Sequence, residues 1–246
     1  MHRIKMLIEY DGSNYHGFQI QPNAHTIQAE IESSIEKLTG NPVRIISAGR
    51  TDSGVHALDQ VIAFDTDSGI PPEKWQFALN SVLPADIRVI KSSLTRPDFH
   101  PRFDAISKNY IYKIYRQRSG STFYRKYALL YFEDLDLEAM QTACEYLIGW
   151  HSFRAFCASG SSVKGYEREI INCYWKQELP FLTLEISANG FLYNMVRIIV
   201  GTMLEIGRHS FPPSAIQQML SSGERMMGGP TAPPQGLYLQ KVHYKE

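Results

Sequence analysis

An excess of charge, a long hydrophobic run and an even complement of cysteines are all missing from this 246-residue chain. Lys and Arg number 25 and Asp and Glu number 25, so the formal net charge is zero. A protein that neutralises phosphates normally carries a basic excess, and the overall balance therefore argues against nucleic-acid binding. No segment approaches the roughly 18 uninterrupted apolar residues of a membrane helix, and the start, MHRIKMLIEYDG, alternates charged and apolar residues where a signal peptide would have an apolar run. A cytoplasmic protein with no membrane partner is expected. Cys144, Cys157 and Cys173 have no C-x-x-C spacing, which speaks against a disulfide framework and a cysteine zinc site and leaves three buried thiols.

Phosphate cradles are missing too. Neither G-x-x-x-x-G-K-[ST] nor G-x-G-x-x-G occurs, which removes the usual basis for nucleotide hydrolysis and dinucleotide redox chemistry. The eight histidines, at 2, 16, 25, 56, 100, 151, 209 and 243, show no H-E-x-x-H or similar grouping. No metal is expected.

What is present is organised around GRTDSGVHA, residues 49–57, where Asp52 sits among small residues directly after an apolar run. Gly49 and Gly54 allow backbone angles closed to other residues and a close approach of substrate, while Arg50, Thr51 and Ser53 supply donors. An arbitrary T-D-S-G string is an ordinary turn; the full nine-residue string is far more specific. A glycosidase-like Asp would need a second acid to protonate the leaving group, and none is evident near Asp52 apart from Asp59 or a distant residue. Charge is also segregated. Arg96, Arg102, Lys108, Lys113, Arg116, Arg118, Arg125 and Lys126 face only Asp98 and Asp104 in that stretch, and Phe99, Phe103, Tyr110, Tyr112, Tyr115, Phe123 and Tyr124 are interleaved with them. Such a mix suits phosphates and unstacked bases, and equally a solvated strand face with aromatic core partners.

Hydrophobic periodicity supplies the organisation. A strand is expected over 2–10, a Gly- and Pro-containing loop over 11–25, and a helix capped by Thr26 with Ile27, Ile31, Ile35 and Leu38 on one face, closed by Gly40 and Pro42. Strands over 43–48 and 60–65, an apolar helical stripe of Trp75, Ala78, Leu79 and Val82, and a strand over 87–90 complete a β-α-β-β-α-β order. After a Pro-punctuated connector the order repeats: a strand over 107–116, an apolar run over 127–132, a helix capped by Asp136, strands over 168–176 and 181–187, an apolar helix over 191–207 and a closing strand over 236–244. An added helix over 212–220 and a mobile Gly- and Pro-rich loop over 226–234 are also expected. The fold class is thus α+β: two split β-α-β-β-α-β halves, 1–95 and 105–246 with a connector at 96–104, each with helices on one face of an antiparallel sheet and the other face left for a groove.

GRTDSGVHA resembles the signature of the tRNA pseudouridine synthases that modify the anticodon arm, with Ser53 for a usual Ala. The segments EYDGSNYHGFQIQ, FHPRFDAISKNYIYKIY, NGFLYNMVRIIVG and APPQGLYLQKV resemble that family's segments in its order and near its spacing. The resemblance implies two ferredoxin-like halves joined into one antiparallel sheet with a basic cleft, a homodimer without cofactor, tRNA as partner, and isomerisation of uridine to pseudouridine in the anticodon stem-loop. It also implies site roles: Asp52 as catalytic nucleophile, Tyr110 stacked on the target base and Arg197 partnering the aspartate. Arg50 and Arg102 are further candidates for holding phosphates or filling the space of a flipped nucleotide. A non-catalytic RNA-binding module and a nucleoside or sugar hydrolase using Asp52 are the alternatives.

Overall fold

A computed structural model describes residues 2–160, 163 and 165–245. It is a mixed α+β protein built of two compact units, Met1–Ile106 with Tyr238–Glu246, and Ser107–Leu237.

In the first unit, β1 (His2–Tyr10) buries Ile4, Met6, Ile8 and Tyr10 and turns the intervening residues outward, the period-2 pattern that its sequence dictates. Helix α1 (Ile27–Thr39) starts where Thr26 accepts a hydrogen bond from the Ala29 N–H and stops where Gly40, at φ 73°, bonds back to Glu36. Its Ile27, Ile31 and Ile35 lie in the core, and truncating any one to Ala would cost about 2–5 kcal/mol. Strand β2 (Ile46–Ser47) pairs antiparallel with β3 (His56–Thr66), β3 with β1, and β1 with β4 (Ile87–Leu94). The resulting order β4-β1-β3-β2 is that of a split β-α-β-β-α-β unit. Between β3 and β4, α2 (Trp75–Asn80) is fastened to the sheet by an edge-on contact of Trp75 with Phe64, ring centroids 5.1 Å apart.

The second unit contains β5 (Ala105–Tyr115) beyond its first two residues, β6 (Leu129–Leu130), α3 (Leu137–Glu145), β7 (Gly149–Ser152), β8 (Glu167–Glu178), β9 (Phe181–Ala188), α4 (Met195–Gly207) and α5 (Ala215–Ser222). Its strands run β5-β9-β8-β7, each neighbouring pair antiparallel. Asp136 caps α3 through the Ala139 N–H at 2.9 Å, as its sequence position predicts. Cys144, Cys157 and Cys173 are free and buried.

Several expectations are revised. Strand β3 begins at His56, four residues before the expected start at 60, so the end of GRTDSGVHA is already strand. The stretch 43–48 contributes only the two residues of β2. Helix α4 starts at Met195 because Asn194 takes a left-handed conformation, φ 59°, which breaks a helix projected back to 191. Within the stretch 226–234, expected to be a mobile loop, the backbone at Gly229 and Pro230 lies against α4. A Cβ on Gly201 would lie 1.6 Å from the Pro230 carbonyl oxygen, so the side-chain-free helix surface admits the loop backbone, and the Gly229 N–H donates to Thr202 Oγ1 at 3.1 Å. The final strand, β10 (Leu237–Tyr244), falls from Tyr238 onward with the first unit, pairing parallel to β3 through Tyr238 with His56 and Leu239 with Ala57.

Candidate active site

The loop carrying Asp52 joins β2 to β3 and is held on several sides. From β1, the Tyr10 hydroxyl meets Thr51 Oγ1 at 2.8 Å in a buried contact, and burial pushes the Tyr10 phenol up to about 12. From β3, the fully buried Gln60 donates its amide to the Gly49 carbonyl at 2.8 Å. The β1–α1 connection supplies the rest. The Phe18 N–H donates to the Thr51 carbonyl (3.1 Å), while the Gly54 N–H (3.3 Å) and the Ser53 hydroxyl (3.2 Å) both donate to the Tyr15 carbonyl.

Two glycines make that proximity possible. Gly17 sits at φ 91°, and a Cβ there would lie 2.9 Å from the Thr51 carbonyl oxygen and 3.3 Å from the Asp52 carbonyl carbon. A Cβ on Gly12 would lie 2.0 Å from the Val55 carbonyl oxygen. Backbone therefore packs against backbone on both flanks of Asp52, which is itself half-buried, and the Val55 N–H closes a turn onto the Asp52 carbonyl at 3.2 Å.

His56 ends the loop and is 2 % exposed, its ring stacked on Tyr238 at 4.7 Å. The Gly12 N–H points to its Nδ1 at 3.1 Å. Asp11 Oδ1 lies 3.2 Å from the same nitrogen and takes the Ser13 N–H at 2.9 Å.

The other candidates have distinct surroundings. Arg50 is exposed on the Asp52 loop. Arg102 is exposed on the turn after β4, its guanidinium 5.8 Å from the centre of the Phe103 ring. In the second unit, Tyr110 is 8 % exposed on β5 and meets Phe191 edge-on at 4.9 Å. Tyr112, two residues along the same face, is fully buried, donates to the Pro233 carbonyl at 2.8 Å and has its phenol pushed up by burial, so it is a core residue. Arg197 is half-buried in the first turn of α4. Its Nε donates to the Ala232 carbonyl (2.7 Å) and its Nη1 to Asn194 Oδ1 (2.9 Å), fixing the plane of the guanidinium. The first turn of α4 has no acidic residue, and a cation there faces the positive end of the helix dipole, an unfavourable placement of about 0.3–1 kcal/mol.

Asp59, the nearby acid that hydrolysis would call upon, faces β10. Burial pushes its carboxyl up, and Lys241, His243 and the Val242 N–H pull it back down. Among the described residues no cluster of His, Cys, Asp and Glu could hold a metal ion, and no helix is long and apolar enough to cross a membrane. Tyr10, Gln60, Gly12 and Gly17, which fix the loop, have no signal of their own in the sequence beyond lying in or near the segments that resemble the family.

Comparison with known proteins places this geometry in a class. Residues 6–104 and 143–245 match the family described as tRNA pseudouridine synthase, and the chain belongs to that family. The tRNA pseudouridine synthase A of Syntrophomonas wolfei is 57 % identical over 246 residues, covering 100 % of this chain and 99 % of the relative. That of Moorella thermoacetica is 47 % identical over 243 residues (98 % and 99 %), and that of Bacillus pumilus 46 % over 244 (98 % and 99 %). Among solved structures, a chain of a Cbf5-Nop10-Gar1 complex aligns with a TM-score of 0.36 and 11 % identity over 82 % of this chain and 54 % of that one.

Proposed function

We propose that the chain isomerises uridine to pseudouridine in the anticodon stem-loop of tRNA, with Asp52 as the nucleophile. The observation that carries this reading is the immobilised Asp52 loop within GRTDSGVHA. Backbone packing on both flanks holds the segment that carries the carboxylate, and positioning of this kind is a large part of what an enzyme supplies.

The reaction breaks N1–C1′, turns the uracil and joins C5 to C1′. The C5 hydrogen leaves as a proton and N1 gains one, with no net change in atoms. Asp52 has three routes open to it: attack on C1′, attack on C6, or removal of the C2′ proton to give a glycal. The target nucleotide leaves the helical stack, which costs a few kcal/mol, and stacking on Tyr110 offsets part of that cost. Arg197 supplies the positive charge that keeps Asp52 ionised when uracil displaces water. Arg50 and Arg102 hold the RNA backbone. The working protein is a cytoplasmic homodimer, and neither cofactor nor metal takes part.

Incubating unmodified tRNA with the protein, digesting it to nucleosides and mapping the altered positions tests the proposal. New pseudouridine confined to the anticodon arm supports it. Unaltered uridine from tightly bound tRNA points to the RNA-binding module, and free uracil to the hydrolase.

A further inference from the structure

Between 105 and 132 the chain has six Lys and Arg residues and no Asp or Glu, interleaved with aromatics. The structure sorts this stretch into groups that serve the fold and groups that face outward. Lys113 is half-buried, with its ammonium pKa lowered by burial. Arg116 donates to the carbonyls of Tyr131 (3.1 Å) and Glu133 (2.7 Å) and so braces the chain after β6. Tyr110, Tyr112 and Tyr115 are buried.

What faces solvent is the loop over 117–127, where Arg118, Arg125 and Lys126 are exposed and Phe123 is 82 % exposed. A single exposed Phe is ordinary. Here, however, the backbone that carries it is fastened. Ser121 Oγ accepts the N–H groups of Phe123 (3.2 Å) and Tyr124 (3.1 Å). The Tyr124 ring sits 5.2 Å from Tyr115 and 4.9 Å from Phe181, anchoring the turn on β5 and β9. Arg125 folds back onto the Thr122 carbonyl, and the Tyr127 and Ala128 N–H groups both close on the Tyr124 carbonyl at 2.9 Å. The loop thus holds an aromatic face outward on an anchored turn, flanked by cations in an acid-free stretch. Base stacking and phosphate contact together call for that combination.

We propose that the 117–127 loop is a second contact for the substrate tRNA, in which Phe123 stacks on an unpaired nucleotide while Arg118, Arg125 and Lys126 hold neighbouring phosphates. It rests on tRNA being the substrate and is separate from the residues assigned to the chemistry.

The test uses the full-length enzyme and a tRNA transcript, with affinity measured at several salt concentrations, the single-turnover rate at saturating tRNA, and the mass in solution. Phe123→Ala and Phe123→Leu are expected to weaken tRNA binding roughly tenfold to a hundredfold while the saturating rate stays unchanged, and Phe123→Trp to bind like the parent. Replacing Arg118, Arg125 and Lys126 together by Gln should flatten the slope of log affinity against log salt by about 2 to 3. Parent-like binding by Phe123→Ala overturns the proposal. So does parent-like binding by Phe123→Leu, which would make the contact merely apolar, or a fall in solution mass in the Phe123 variants, which would make the loop a contact with a second copy. An enzyme that forms no pseudouridine at all would refute the assigned function instead, whereas an active enzyme indifferent to Phe123 refutes only this contact.

Discussion

Gly17→Ala is the sharpest test of the claim that the Asp52 loop is held in place by backbone packing. The substitution acts twice. At φ 91° an L side chain is strained by about 1–3 kcal/mol, and the new Cβ would approach the Thr51 carbonyl oxygen to 2.9 Å and the Asp52 carbonyl carbon to 3.3 Å, so the loop must give way by a few tenths of an ångström. For a chain of this size about 2–4 °C of melting temperature is lost per kcal/mol, giving an expected fall of roughly 2–12 °C. A misplacement approaching 1 Å costs on the order of a hundredfold in rate, so a loop displaced by a fraction of that should lose about tenfold or somewhat more in single-turnover rate at saturating tRNA, with affinity little changed. Gly40→Ala is the control. Gly40 has a similar φ of 73°, but its Cβ would meet nothing within 4 Å. It should lower the melting temperature and leave the rate alone. Equal rates for the two variants, or a Gly17→Ala enzyme that turns over like the parent, would refute the reasoning.

Other perturbations probe the remaining links. Arg197→Met should fold, lose most single-turnover activity near neutral pH and recover part of it as pH rises and Asp52 ionises again; a variant whose defect is confined to tRNA affinity would show that Arg197 serves the RNA. Gln60→Met removes the amide that holds the Gly49 carbonyl, and a lost buried hydrogen bond of this kind costs about 1–3 kcal/mol. Denaturant melts together with single-turnover rates should show both a less stable and a slower enzyme, and an unaltered rate would remove Gln60 from the support of the loop. The Tyr10 phenol is raised to about 12 by burial, so the folded state keeps its proton longer than the unfolded chain. Its contribution is complete below the unfolded value of about 10 and is lost as pH climbs towards 12. Stability measured across that window should therefore fall less steeply in Tyr10→Phe than in the parent, and parallel curves would contradict the assignment.

Much of the frame is legible in the sequence because its signals are local. The alternation of β1, the Thr26 and Gly40 caps of α1 and the Asp136 cap of α3 each need only a few consecutive residues. Errors arise where distant contacts decide. Strand β3 extends back to His56 because β1 and β10 pair with its first residues, a partnership that the polar string HALDQ does not announce. Strand β7 has no local signal either, being four residues long and defined by its pairing with β8. The stretch 226–234 reads as loose because its glycines suggest freedom, whereas one of them, Gly229, is what lets the backbone lie against α4. The same division holds for the site. Asp52 is found from its own nine residues, while its supports are not: Tyr10 and Thr51 are 41 positions apart, and nothing in either segment alone tells that the phenol lies beneath the loop. The basic, aromatic pattern also includes Arg116, and nothing local announces that its half-buried guanidinium braces two backbone carbonyls.

The central claim is that a carboxylate on this loop moves the glycosidic bond of uridine from N1 to C5. Tritium release from tRNA carrying 5-tritiated uridine measures that event directly, because C5 loses its hydrogen only when the new bond forms there. The parent enzyme should release one tritium for each pseudouridine formed, and Asp52→Asn should release none while binding tRNA within several-fold of the parent. Substantial release by Asp52→Asn, or none by the parent, would contradict it.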